Sequence, residues 1–97
     1  MNLFRRIDGT LLSTWDLVNT LLAITGIKLF QIVQTAFDHI LIKYVADAQL
    51  EPTVEGKIRS EFTTYVGTGM RIDFEHLSQI LRMPGGKYMV TLSQVAR

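Results

Sequence analysis

The run Pro84-Gly85-Gly86-Lys87 sets a lysine directly after a turn-forming cluster. A lysine ammonium is a compact charge on a flexible stem, and glycines let a backbone approach a ligand closely, so Lys87 suits a group that meets an anion as charge redistributes. Lysine in a turn is more often simply solvated, and outside any larger pattern that reading comes first. Other chemistry-bearing residues are sparse. The two histidines, His39 and His76, lack cysteines or carboxylates at metal-ligand spacing, so no metal site is expected. Ser13 and Ser93 have simpler roles as helix cap and strand residue, and no hydroxyl–imidazole–carboxylate triad can be argued from spacing, since such groups meet in space. Trp15, Phe30 and Phe37 are expected in the core and not on a base-stacking platform, because the Arg5-Arg6 pair alone supplies too little positive charge for nucleic acid.

The elements that must position these residues follow from periodicity. Residues 3–7 read as a strand turned at Asp8-Gly9, with Leu11-Leu12 beginning the return. Ser13 and Asp16 have capping-box spacing, and Leu17, Val18, Leu21, Leu22 and Ile24 follow at helical intervals, with Gly26 as the expected stop. Residues 29–34 and 40–45, rich in β-branched and aromatic side chains, read as two strands joined through residues 35–39. Thr53 is the expected N-cap of a second helix whose Val54, Ile58, Phe62 and Tyr65 or Val66 share a face and which ends near Gly67 and Gly69; Gly56 weakens it. Residues 70–74 then read as a strand, 75–82 as one or two helical turns and 88–92 as a last strand. This order predicts an α+β fold of small split βαβ, ferredoxin-like type, with both helices on one face of a mixed sheet.

Length and composition bound the rest. The 97 residues hold one domain with a modest core, and a composition 47% hydrophobic and 20% charged is that of a folding globular chain. Ten basic and nine acidic residues are spread without runs, which argues against a polyanion partner, and the absence of cysteine fits a reducing compartment. No apolar stretch approaches the roughly 20 residues that span a bilayer, and the opening Met1-Asn2-Leu3-Phe4-Arg5-Arg6 does not read as a secretion signal. A cytoplasmic location without nucleic-acid or membrane partners is expected.

Pro84-Gly85-Gly86-Lys87-Tyr88, together with Phe30-Gln31-Ile32-Val33-Gln34, residues 38–44 and residues 67–74, resembles the C-terminal domain of AMP-forming ligases of the phenylacetate-CoA ligase, coenzyme F390 synthetase and CapK-like group. The likeness extends over residues 8–95. It implies a lid: in the full-length enzymes a large N-terminal domain binds magnesium ATP and an acid, the carboxylate attacks the α-phosphate, and the acyl-adenylate passes to coenzyme A as the small domain rotates. On this resemblance Lys87 is the adenylation lysine, Gly85 and Gly86 form its loop, and Arg6 with Asp8 are what remains of a Gly-Arg-x-Asp-Asp hinge. Arg5 stands where the hinge glycine belongs. Residues 1–12 are thus expected to be a hinge remnant or hairpin, and residues 13–97 the lid. The chain lacks a phosphate loop, so it is expected to hold no cofactor alone and to need a separate adenylation domain as partner. A second reading is a stand-alone interaction module, with a homodimer through an exposed sheet edge as one form of it.

Overall fold

In the computed structural model of the chain, residues 4–80 and 90–95 are described. Strands β1 (Phe4–Arg5) and β2 (Leu11–Leu12) form a short antiparallel hairpin around the expected Asp8-Gly9 turn. Helix α1 (Trp15–Leu22) leads into β3 (Ile27–Ala36), which turns through Phe37 and Asp38 into β4 (His39–Ala46). Helix α2 (Pro52–Val66), β5 (Arg71–Leu77) and β6 (Thr91–Ser93) complete the order. The four long-range strands form one mixed sheet in the order β5-β4-β3-β6, antiparallel between β3 and β4 and parallel at both outer pairs.

Register puts alternate residues of neighbouring strands on one face, and the apolar set there is continuous: Phe30 lies opposite Tyr44, Ile32 opposite Ile42, and Ile40 beside Ile72. Leu17 and Leu21 of α1 and Ile58, Phe62 and Val66 of α2 join the same core. The spacing of these helical residues confines them to one stripe, so both helices pack on this single face. The expected α+β class, mixed sheet and helix placement are thus found. Within it, β4-α2-β5 is a crossover between directly adjacent parallel strands.

Several local expectations are overturned. No capping box forms, because α1 starts at Trp15 with Thr14 as N-cap and without a side-chain cap hydrogen bond. The helix closes at Ala23, three residues before Gly26, which lies just ahead of β3. Helix α2 starts two residues early, with Glu51 and not Thr53 as N-cap. Pro52 explains this: its φ is already helical, and the N–H it lacks would have had no intrahelical partner in the first turn. Residues 75–77 are strand and not helix. Pairing with β4 continues to Val45 and Leu77, while His76 stacks on Tyr44 at 5.1 Å and lies 2.8 Å from the carbonyl of Ala46, so tertiary contacts override helical periodicity. Of the last expected strand, residues 88 and 89 lie outside the described residues, as does the end of the expected 75–82 helical piece. Phe30 is in the core as expected, but Trp15 and Phe37 are 68% and 45% exposed, because one opens α1 on its outer side and the other occupies the hairpin turn.

Helix α2 ends where Gly67 takes φ 89°, a conformation that side-chain-bearing residues rarely adopt, and its N–H closes on the carbonyl of Thr63. Gly56 is different. It sits exposed inside α2, and a Cβ there would meet nothing within 4 Å. Replacing it by alanine removes backbone freedom from the unfolded chain without a clash, so Gly56→Ala should raise stability in urea denaturation by about 0.5–1 kcal/mol. A loss of stability would mean that the helix does not run through this residue.

Candidate functional site

Two groups of residues carry the expected site. Gly85, Gly86 and Lys87 lie outside the described residues. Their flanks are fixed: β5 ends at Leu77 on one edge of the sheet, and β6 opens at Thr91 on the opposite edge, where the carbonyl of Val90 accepts the Ile32 N–H at 2.8 Å.

The hinge candidates are fully described and meet in one turn. Asp8 Oδ1 accepts both the backbone N–H of Thr10 at 2.9 Å and its hydroxyl at 2.7 Å. Hydrogen bonds from a backbone and a hydroxyl donor favour the ionised carboxylate, so they hold the Asp8 carboxyl below its ordinary range, with Arg6 adding a smaller attraction. Arg6 uses both sides of its fork. Nε donates to the carbonyl of Tyr65 at 3.0 Å, and Nη1 to that of Leu11 at 2.9 Å. The first bond ties the hairpin to the last turn of α2, while the second closes the hairpin itself.

Arg5, expected at the place of a hinge glycine, is held by its backbone. Its N–H donates to Gln34 Oε1 at 2.9 Å, and its carbonyl accepts from Gln34 Nε2 at 2.7 Å. Gln34 is wholly buried, so this amide joins the hairpin to the central strand β3 as a cross-strand pair would. Phe4, also wholly buried, and Leu12 belong to the main core, and Ile7 reaches Gly69 just past the end of α2. The hairpin is therefore built into the domain.

A further polar cluster was invisible to spacing. The Thr35 hydroxyl hydrogen-bonds His39 Nδ1, and His39 Nε2 lies 2.7 Å from Asp73 Oδ2. An ionised carboxylate only accepts, so the Nε2–H donates to Asp73. In this fold the trio clasps the tip of the β3–β4 hairpin to edge strand β5. Only the alternation of β4 and β5, with His39 and Asp73 both off the core face, hints at it. No group of three or more metal-ligating side chains occurs among the described residues, and none of their helices is long and apolar enough to cross a membrane.

The fold defines a small α+β domain with a helix-backed mixed sheet and an N-terminal hairpin welded to it. The family model for the CapK C-terminal domain matches residues 4–94, and the chain belongs to this family. No curated protein and no solved structure matches it.

The Asp8 geometry makes a pH prediction. Its folded-state pKa is lowered, so the stabilisation it brings is present above the unfolded-state pKa and is lost as pH falls through the lower folded value. Carboxyl-detected NMR titration should place the Asp8 midpoint below that of an unstructured aspartate, and Thr10→Val should move it back up. A midpoint unaffected by Thr10→Val would remove the hydroxyl's share and leave the Thr10 backbone N–H as the cause, whereas an Asp8 midpoint at or above that of an unstructured aspartate would overturn the assignment.

Proposed function

We propose that this domain is the C-terminal lid of an AMP-forming acyl-CoA ligase of the phenylacetate-CoA ligase type, presenting Lys87 to the active site of a separate N-terminal domain that binds ATP, magnesium and the acid. The observation that carries this reading is the family match over residues 4–94, a span that includes Pro84-Gly85-Gly86-Lys87. In such a site the acid's carboxylate oxygen bonds to the α-phosphorus as the bond to pyrophosphate breaks. An ammonium beside both groups offsets the negative charge that develops on the phosphate oxygens. Coenzyme A would be the acceptor in the second half-reaction.

The hinge assignment takes a particular form in this fold. Arg6 and Asp8 stiffen the lid's side of the joint, so a rotation between domains pivots ahead of Phe4, and the hairpin travels with the lid. A non-catalytic interaction module is the second reading, favoured by the exposure of Trp15 and Leu22. Pairing of two copies through β5 is the weaker form of it, since Arg71, Asp73, Glu75 and His76 are all exposed on that edge strand, and charged edges resist strand addition.

The test is ATP–pyrophosphate exchange after mixing the chain with an N-terminal domain of this ligase class. Wild-type chain should stimulate exchange, and Lys87→Ala should lower it by about 100-fold or more, the usual cost of losing one electrostatic stabiliser. Stimulation that survives Lys87→Ala would remove the assigned role. A nucleotide-independent complex without any exchange would favour the interaction module.

A further inference from the structure

Between α1 and the start of β3 lies a half-open groove with a cavity volume of about 270 Å³. Val18 and Leu22 form one wall, Ile27 and Leu29 the other, and Val90 closes one side. Leu22 and Leu29 are 65% and 40% exposed, so the groove leaves large apolar side chains in water. Covering them is favourable.

Among the described residues, the charged side chain in the lining is Lys28. Its ammonium lies 2.6 Å from Asp47 Oδ1, but both partners are exposed and Asp47 is not part of the lining. An exposed ion pair of this kind contributes little, and an ammonium has three protons to donate, so a second anion at the groove mouth can share or replace Asp47. The volume sets the ligand's size. It exceeds the roughly 150 Å³ of an apolar cavity that takes one benzene, and falls short of the roughly 300–1,000 Å³ typical of larger ligands.

We infer that the groove between α1 and β3 is a binding site for a small amphipathic organic anion, with a single ring or short hydrocarbon chain lying on Leu22 and Leu29 and the anionic head on Lys28. The inference stands whether or not the ligase reading does.

Titrating the 97-residue chain with 1-hexanesulfonate and, in parallel, with uncharged 1-hexanol tests it. The readouts are methyl NMR shifts and the fluorescence of Trp15, the one tryptophan, one helical turn before Val18. Hexanesulfonate should give saturable shifts at the methyls of Val18, Leu22, Leu29 and Val90 and bind more tightly than hexanol. Lys28→Gln should weaken the sulfonate about fivefold and leave the alcohol unchanged. Asp47→Asn should tighten the sulfonate by removing its internal competitor, and Leu22→Gln should weaken both probes. Equal binding of sulfonate and alcohol, or indifference to Lys28→Gln and Asp47→Asn together, would overturn the proposal. So would a doubled mass in solution with groove methyls that no probe shifts, since a second copy would then be the occupant.

Discussion

The buried amide of Gln34 fixes how this domain is assembled. Its two polar atoms are occupied by the N–H and carbonyl of Arg5, 29 positions earlier in the chain, in a place closed to water. Breaking that pairing strands polar groups in the interior, at about 1–3 kcal/mol for each group left without a partner. Gln34 also sits in β3 at the step where β6 joins, with its own carbonyl accepting the N–H of Gln94 at 2.8 Å. One side chain and its backbone thus hold the hairpin, the central strand and the C-terminal strand in register.

From that fixed point the remaining contacts acquire their meaning. Arg6 carries the hairpin's position on to the carbonyl of Tyr65, and Ile7 leans on Gly69, so the end of α2 is located by the same hairpin. Helix α2 is held to β5 by Arg59, whose Nε donates to the Ile72 carbonyl at 3.1 Å and whose guanidinium lies 5.2 Å from the Phe74 ring centroid. On the opposite side of the sheet the His39 clasp performs the same service for the hairpin tip. Polar ties of this kind fix geometry while the apolar stripe supplies most of the driving force.

What could be read from the residues follows the range of the interactions involved. Apolar alternation in β3 and β4, the helical stripe Ile58, Phe62 and Val66, and the Asp8-Gly9 turn are local, and each was legible. Errors arose where a local signal lost to something distant. Glu75, His76 and Leu77 have helical periodicity but are claimed by pairing with β4, and Trp15 has a core-like side chain but opens α1 on its wet side. Arg6 and Asp8 were singled out as a pair by the hinge-like pattern of the family resemblance, and they do meet in one turn. Their anchors were not legible, since Gln34 and Tyr65 follow at separations of 29 and 59 residues, and His39 meets Asp73 across 34.

The integration of the hairpin into the domain is the claim on which this account of the assembly rests. Native-state hydrogen exchange of the Arg5 amide tests it directly, because that N–H donates to the buried Gln34 side chain. If the hairpin belongs to the cooperative unit, Arg5 exchanges only when the whole domain unfolds, with the same protection as the central amides of β3 and β4. Fast exchange at Arg5 beneath a fully protected sheet would show a hairpin that opens by itself.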